Sequence, residues 1–572
     1  MKIKSSTGRK LRYGGVSAVL TALIIAVIII VNVIFSALSQ KFLWYADLTP
    51  ELLYSLSDEA LDLVENGDDE FDSLSPIEMV DKMRAENLEA DPDFDPESLM
   101  INIIFCDDPD NIDANSYQRY VHHTALELEE KFPDYINVEH YNIIRNPSSV
   151  SRFKVNSLSQ IHTTSVIIEF GTEYRVREIR SFYIFNEDTS SDEEPWAYNG
   201  EKAFISSILA VTRAESPIAC ITTNHGETFS DAEFVNTLID AGYIVQDLDL
   251  EKDEIPDKCR LIVIFDPHED FAVYYNDDND LELSEVEKLD AFLDGTNSLM
   301  VFMNPATLEK QGKLVELEGY LEEWGISFDR YEAEDGAVVP YRIMDKTQAL
   351  STDGYTFKAE YVTAGAGAGF TKDMRTRPVA QSIIFKNAMS ISYSGLYTPA
   401  HYSPEETSTD ADDVPYDYAT FYKDGISRAI YDVFTTGAKA EAYADGVLRE
   451  SATELNKLKL MTVSVENRTT QEDNYSTVSE ASYVLACGST DFASEAFLQS
   501  NSYGNNDLLL TALRAIGKEP VPVGLTFKPF ADFTIDTITT SEATQYTVVL
   551  TVVPALIAAI TGIVVIVRRK NR

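Results

Sequence analysis

The residues whose types and spacing best suit chemistry form one short run, Asn224-His225-Gly226-Glu227, which follows an apolar, strand-like segment. Such a segment at the start of an alternating strand–helix region is typical of folds that bind ligands at the carboxyl ends of their strands. A histidine beside a carboxylate can transfer protons. The structural alternative is a turn whose side chains cap the next helix and hydrogen-bond locally. These four residues are our candidates for contact with a ligand or a partner, and we predict that none is catalytic.

Other catalytic motifs are missing from the sequence. No serine or cysteine lies in an elbow-like nucleophile motif, and neither a GxGxxG run nor a Walker A sequence occurs. The chain is therefore not expected to hydrolyse ATP itself. We predict that the protein is not an enzyme and that it needs no cofactor.

Candidate metal ligands are poorly spaced. His122 and His123 are adjacent on a predicted helix, where neighbours point about 100° apart, so we predict a solvated face instead of a metal site. The runs Asp277–Asp280 and Asp410–Asp413 resemble calcium loops in composition but lack the glycine and terminal glutamate of an EF-hand. Weak, adventitious Ca²⁺ binding is the alternative there. The run Ala364–Gly369 could cradle a phosphate, but no lysine follows suitably, so we predict a flexible loop.

The four cysteines, Cys106, Cys220, Cys259 and Cys487, lie in or beside apolar runs and form no CxxC pair. Buried free thiols are the simplest interpretation. A disulfide between Cys220 and Cys259 is the alternative.

Both ends of the chain carry a long uncharged run, 14–38 and 546–567, each long enough to cross about 30 Å of hydrocarbon as a helix. Basic residues flank both runs on their outer sides, in the tails 1–13 and 568–572. The positive-inside rule then places both termini in the cytoplasm and the bulk of the chain outside it, in a two-pass cell-membrane protein. A cleaved signal peptide is the alternative for the first run, which is longer than the usual 7–15 apolar residues.

The segment between the two runs is strongly acidic. It holds all 94 acidic residues of a chain whose formal net charge is −48. This charge argues against nucleic acid as a partner, because that needs a basic surface. A hydrophobic content of 44% nevertheless suffices for folded cores, so a disordered stalk is excluded.

The patterning predicts an α/β protein with two extracytoplasmic domains. Over 47–198, a β-α-β…β-β order suggests a small α/β domain, compatible with a thioredoxin-like arrangement that lacks that fold's cysteines. Over 199–530, strands alternate with helices, which predicts a doubly wound, Rossmann-like sheet with insertions. We expect the alternation to return at 458–465 and 483–487, whereas 326–450 gives no clear pattern.

Several short motifs follow one another in a characteristic order along the chain between the two apolar runs. They are Asp47-Leu-Thr with Tyr54-Ser-Leu-Ser, Tyr198-Asn-Gly-Glu-Lys-Ala-Phe, His225-Gly-Glu, Ile255-Pro with Leu261-Ile-Val-Ile, Gly488-Ser-Thr-Asp-Phe, and Asn505-Asn-Asp-Leu-Leu-Leu. In this order the chain resembles the GldG-type auxiliary components of ABC transporters, a family of gliding-motility and uncharacterised transport proteins. Asn224 stands where that family usually has glycine, and asparagine tolerates a positive φ, so we expect the turn to survive.

The resemblance implies a membrane-anchored, extracytoplasmic and non-catalytic accessory subunit, with a permease and an ATPase encoded separately as partners. We expect the second apolar run to pack on a partner helix through small residues, which allow close approach in lipid. These residues are Pro554, Ala555, Ala558, Ala559 and Gly562. The alternatives are a surface receptor for a small solute or glycan at the carboxyl edge of the central sheet, and an envelope hydrolase using His225 and Glu227. Since we place that motif on a partly exposed loop, we expect His225→Ala to leave the fold intact.

Overall fold

The computed structural model describes residues 53–530 with short gaps. The gaps are 68–73, 154–160, 186–194, 214–215, 228–231, 276–280, 335, 364, 377–380, 401–417, 424–425, 472–476, 501 and 518–520. Both apolar runs and both aspartate-rich runs lie outside the described residues. Across the described part of the chain, no helix combines the length and the apolar character that a membrane crossing requires. The fold is mixed α/β, with parallel and antiparallel sheets.

A four-stranded sheet forms the first unit. In spatial order its strands are Ile136–His140, Ile101–Phe105, Ser165–Phe170 and Glu173–Glu178. The first two strands are parallel, with Ile101 opposite Ile136, and the remaining pairings are antiparallel. The helices of this unit are Asp58–Glu65, Pro76–Ala90, Pro109–Ala114 and Ser116–Lys131. The predicted order of a strand, a helix, a strand and a hairpin is confirmed.

Serine caps set where two of these helices begin. The Ser57 hydroxyl accepts a hydrogen bond from the Ala60 amide, as the sequence predicts. Ser75 and Glu78 form a reciprocal capping box, in which the Ser75 amide donates to the Glu78 carboxylate at 3.0 Å. The second helix therefore begins at Pro76, and it ends at Ala90.

A second, much larger sheet contains a parallel half. Its strands, in spatial order, are Thr477–Cys487, Ser298–Phe302, Cys259–Phe265, Ile218–Thr222 and Ile244–Leu248. The helices that alternate with them in the chain are Ala232–Asp240, Glu285–Asp294, Pro305–Gln311 and Val315–Glu323. Successive side chains of a central strand enter opposite cores: Leu261 and Val263 join one apolar cluster, Ile262 and Ile264 the other. Burial on both faces explains why these strands are continuously apolar.

The other half of the large sheet is antiparallel, which corrects the expectation of a doubly wound pattern across the whole of 199–530. Its strands are Thr398–Ala400, Tyr418–Lys423, Ile426–Thr435, Lys459–Gln471 and the shared strand Thr477–Cys487. The segments expected to resume the α/β pattern form one long hairpin, in which Met461 pairs with Cys487. Only five residues join the two strands, which is too short for a parallel crossover.

Short strands recur through 326–450. They are Ile326–Phe328, Arg330–Glu332, Val338–Pro340, Arg342–Met344, Thr356–Lys358, Glu360–Tyr361, Ile384–Lys386, Ile391–Tyr393, Glu441–Ala444 and Val447–Ser451. The predicted flexible loop at Ala364–Gly369 is wrong for its described part, because Gly365–Gly369 is a short helix. A Cβ on Gly367 would lie 1.8 Å from the Asp432 carbonyl oxygen, so this helix packs directly on a strand backbone. The remaining elements are strands Tyr183–Phe185, Pro195–Tyr198, Val273–Tyr275, Leu281–Ser284 and Lys528–Pro529, and helices Lys372–Thr376, Glu495–Leu498 and Asn505–Gly517.

The helix Gly200–Val211, here called the central helix, is buried along its whole length. Its apolar side chains Phe204, Ile205 and Ile208 belong to the apolar core of the first unit. At its start, a Cβ on Gly200 would lie 1.9 Å from the Tyr198 hydroxyl, so only glycine fits there. The helix therefore packs on the first unit, although the sequence places it at the start of the second.

The first carboxylate of the central helix joins the two ends of the described chain. Glu201 Oε1 accepts a hydrogen bond from the Ser57 amide at 2.6 Å, and Glu201 Oε2 lies 3.2 Å from Lys528 Nζ. Lys528 Nζ also donates to the Ser55 carbonyl oxygen. The strand Lys528–Pro529 pairs with Pro195–Tyr198, immediately before the helix. We call Glu201, Ser57 and Lys528 the clasp.

Candidate functional site

The run Asn224–Glu227 lies where the sequence predicts, directly after the strand Ile218–Thr222, at the carboxyl edge of the parallel half. The chain runs from Ile218–Thr222 to its neighbour on one side, Ile244–Leu248. From Cys259–Phe265, the strand on the other side of Ile218–Thr222, it runs in the opposite direction across the sheet to Ser298–Phe302. Sheets of this kind place crevices where the direction of strand order reverses.

His225 lies between two buried carboxylates. Its Nδ1 is 3.0 Å from Glu227 Oε1, and its Nε2 is 2.9 Å from Glu285 Oε2. The side chains of Glu227 and Glu285 are 1% and 0% exposed, and His225 itself is 2% exposed. The imidazole stacks on the Phe271 ring with centroids 3.8 Å apart and planes 5° from parallel. We call His225, Glu227 and Glu285 the ion cluster.

The carboxylates of the ion cluster have further partners. Asn224 Nδ2 donates to Glu285 Oε1 at 2.6 Å, and the Ala272 amide donates to Glu285 Oε2 at 2.5 Å. The second oxygen of Glu227 accepts a hydrogen bond from the His225 amide at 2.7 Å. Both ring nitrogens and all four carboxylate oxygens are therefore bonded within the protein. This arrangement favours the structural alternative over ligand contact.

The charges of the ion cluster stabilise one another. Burial opposes protonation of His225, but its hydrogen bonds to Glu227 and Glu285 outweigh burial and raise the pKa of His225 to about 9. For both carboxyls, burial acts to raise the pKa, yet the hydrogen bonds from His225 prevail and the pKa of each is lowered. At neutral pH the cluster is thus an imidazolium between two carboxylates.

The same loop is also held through its backbone. The His225 carbonyl oxygen accepts hydrogen bonds from the amides of His268 and Glu269, at 2.8 and 2.9 Å. The residue with a positive φ in this turn is Gly226, at 73°, and not Asn224. A Cβ on Gly226 would lie 3.1 Å from the His268 Cβ, so glycine also permits the close approach of the two loops.

The motif is partly exposed at Asn224 and Gly226, as expected, but the side chains of His225 and Glu227 are buried. The sequence identifies Asn224, His225, Gly226 and Glu227, and the structure brings them together, but it adds Glu285 and Phe271 from distant parts of the chain. Glu285 is the first residue of a helix whose cap, Ser284, the sequence predicts. An acidic residue in that position ordinarily indicates only a favourable helix terminus, so its contact with His225 gives no sequence signal.

A second histidine group corrects the predicted solvated face. His122 is 4% exposed, its Nδ1 lies 2.8 Å from Asp113 Oδ1, and its Nε2 lies 3.0 Å from His140 Nε2. His140 stacks on Phe105 at the end of the neighbouring strand. Burial and the nearby His122 lower the pKa of His140 to about 4. The helix has Val121, Ala125 and Leu128 on its buried face, and His122 lies about 100° from Val121, at the margin of that face.

The cysteines agree with the simplest interpretation of the sequence. All four cysteines are buried free thiols, and the Sγ atoms of Cys220 and Cys259 lie 3.2 Å apart on neighbouring strands. Within the described residues, no group of three or more histidine, cysteine or acidic side chains has an arrangement that could hold a metal ion. The small residues of the second apolar run lie outside those residues.

No model of a known protein family matches the chain, and no curated protein is significantly similar to it. The function must therefore be argued from the geometry and from the sequence motifs.

Replacing His225 by alanine should cost the protein about 3–5 kcal/mol of unfolding free energy, because it leaves two buried carboxylates without their counter-ion. This reverses the expectation from the sequence alone. Chemical denaturation of the full-length chain measures the change. His268→Ala is the matched control: its side chain is 33% exposed, and the backbone bond from its amide to His225 does not need the ring. Similar losses in the two variants would contradict the account.

The same cluster predicts a pH dependence. A raised pKa of His225 contributes stability that is full below the unfolded value near 6.5 and is lost as the pH rises through about 9. Stability of the wild-type chain should therefore fall over this interval, and His225→Gln should lack this component. The lowered pKa values of Glu227 and Glu285 act oppositely: their contribution is present above about pH 4.3 and is lost in stronger acid. A difference between the two proteins that is the same at pH 6 and pH 9 would refute the imidazolium assignment.

Proposed function

We propose that the protein is a non-catalytic accessory subunit of an ABC-type transport system, anchored in the cell membrane by both ends and folded outside the cytoplasm. The clasp is the observation that carries this proposal. It holds residues 53–57 and 528–530 side by side. Each end is then about 15 residues from an apolar run, a reach of about 50 Å when extended. Such a convergence of the chain ends suits two anchors that enter one membrane close together.

The motifs that carry the resemblance to GldG-type proteins support it as a likeness of fold. The run from Tyr198 to Phe204 contains Glu201, the carboxylate of the clasp, and the start of the central helix. Asn505 is fully buried and joins three segments, donating to the carbonyl oxygens of Ile384 and Phe492 and accepting from the Ile384 amide. The His225-Gly-Glu motif supplies two members of the ion cluster. Motifs with structural roles are those a shared architecture would retain.

The finer fold assignment is part of this proposal. We infer that 47–198 is a thioredoxin-like domain without the cysteine pair. The strand order and directions of the first sheet support it. We likewise infer a Rossmann-like origin for the parallel half within 199–530. Its helices between parallel strands support that origin, and the antiparallel half is then an elaboration.

The contacts of the ion cluster support a non-catalytic role. The side chains best suited to acid–base chemistry bind one another and are shielded from solvent, so they offer no atom to a substrate. The same burial weakens the two alternatives, a solute receptor at the carboxyl edge and an envelope hydrolase. Energy for transport would come from a separate ATPase, and the acidic ectodomain would contact a separate permease. The transported substrate is not identified by any of these features.

The topology predicts the result of a protease experiment. In intact spheroplasts carrying the full-length chain with a tag at each terminus, added protease should digest residues 50–540 and spare both tags, because the basic flanks keep the termini inside. Immunoblotting of each tag measures protection. Permeabilised spheroplasts serve as the control, in which both tags should also be lost. An ectodomain that resists protease until permeabilisation would refute the topology.

The second apolar run predicts a contact with the permease. Gly562→Leu places a bulky side chain on the small-residue face and should reduce co-purification of the permease several-fold while the ectodomain stays folded. Val564→Leu is the matched control, since it introduces the same residue about 200° around the helix. Quantitative pull-down from membranes compares the two variants. Equal recovery would count against this face as the contact.

A further inference from the structure

A cavity of about 290 Å³ lies at the amino ends of the strands in the parallel half, whereas the ion cluster lies at their carboxyl ends. Its walls come from residues at the beginnings of four strands, Pro217, Tyr243, Lys258 and Ser298, and from the last turns of the helix Asn505–Gly517. This volume is at the lower end of the range for small-molecule sites. We predicted no binding site at this edge from the sequence.

The charged side chains that line the cavity are mainly basic. Among the described lining residues, Arg213, Lys258 and Arg260 are cationic and Glu480 is acidic. This balance is the reverse of that of the chain, whose net charge is −48. A cationic wall in an acidic protein concentrates anions from solution locally.

Arg213 is closely packed at the wall of the cavity. Arg213 Nη1 donates to the Ala241 carbonyl oxygen at 2.8 Å, and a Cβ on Gly242 would lie 2.1 Å from that nitrogen. Glycine at 242, with φ of 88°, is thus needed for the guanidinium to lie there. Arg175 lies behind the wall and donates to the lining residue Ser216 at 2.8 Å. Burial and repulsion from Arg213 and Arg177 lower the pKa of Arg175, against the opposite effect of Glu173.

A strained residue also lines the cavity. Thr296 has φ of 59°, in the left-handed region that β-branched residues rarely adopt. Its hydroxyl donates to the Gly295 carbonyl oxygen at 2.7 Å, which holds the conformation locally. Strain of this kind clusters at ligand sites, where the surrounding structure maintains it.

The rest of the lining is apolar and complements the charged wall. Tyr243 lies at the start of a strand, Leu513 and Ile516 project from the last helix, and Val521 follows that helix. The cavity therefore has one cationic side and one hydrophobic side. A ligand that satisfies both must combine an anionic group with a compact apolar body.

We propose that this cavity binds a small organic anion, a carboxylate or phosphate ester whose charged group meets Arg213, Lys258 and Arg260 and whose apolar body packs against Tyr243, Leu513 and Ile516. Guanidinium groups bind both oxyanions in a bidentate manner. The assignment is independent of the proposed role in transport, since it rests only on the amino edge of the sheet.

Calorimetric titration of the full-length chain in non-ionic detergent tests the proposal, with phenyl phosphate and benzoate as probes. At least one should bind saturably, and at least tenfold more tightly than either inorganic phosphate or phenol, because only the combined molecule uses both sides. Phenyltrimethylammonium, of similar size and opposite charge, should not bind. The tighter of the two anionic probes identifies the preferred charged group.

Substitutions of lining residues test whether the probes bind in this cavity. Lys258→Glu and Arg260→Glu reverse exposed charges at its rim and should weaken binding at least tenfold. Ile516→Trp should fill the apolar side and abolish binding, and a melting curve verifies that this variant folds. Lys310→Glu, an exposed lysine outside the lining, is the matched control and should bind as the wild type does.

Three results would overturn the proposal. The first is the absence of saturable binding up to about 10 mM of both anionic probes, because such an affinity is too weak for a specific binding site. The second is that the cationic probe binds as tightly as the anionic probes. The third is that the rim variants bind the anionic probes as tightly as Lys310→Glu does. If Ile516→Trp fails to fold, the two rim variants alone decide the matter, because their altered side chains are exposed.

Discussion

The clasp at Glu201 is the interaction on which the arrangement of the whole chain depends. A carboxylate in the first turn of the buried central helix binds the amide of Ser57 and the ammonium of Lys528, so one side chain fixes both ends of the described chain. The helix terminus favours a negative charge there, and the Glu201 side chain is only 6% exposed, so solvent screens these bonds weakly. The short pairing of Lys528–Pro529 with Pro195–Tyr198 adds backbone bonds at the same place. Entry and exit of the chain at one point make a two-anchor membrane protein geometrically simple.

The ion cluster demonstrates that residue types suited to catalysis can serve architecture instead. Burying three charges costs several kcal/mol per ion unless they pair well, and this cluster pairs them with good hydrogen-bond geometry. Its contacts fasten the loop after one strand to the loop after the next and to the start of the helix Glu285–Asp294. The carboxyl edge is thereby closed around His225. The cavity with an excess of positive charge lies at the amino edge, where a binding function is independent of this cluster.

Local signals in the sequence predicted the elements well, since caps and apolar periodicity act over a few residues. Ser57 and Ser284 cap helices, as their residue types and positions predict, and Ser75 forms a further cap. Partners far apart in the chain could not be predicted: Glu201 and Ser57 are 144 residues apart, and His225 and Glu285 are 60 residues apart. The antiparallel half escaped prediction because each of its strands is specified by cross-strand neighbours and not by its own pattern. The burial of His122 was missed for a similar reason, because it lies at the margin of its helix's apolar face and its partners are Asp113 and His140.

The central claim is that the ends of the folded region are held together, and a pulsed electron paramagnetic resonance distance tests it most directly. Spin labels at Glu59→Cys and Thr526→Cys, both exposed, would report the separation in the full-length chain in membranes, and the four buried native thiols would label poorly. Each label lies two residues from a clasp residue, so the account predicts one narrow distribution on the order of 20 Å. Adding Glu201→Gln should broaden it. A broad or much longer distribution in the unaltered clasp would contradict the account.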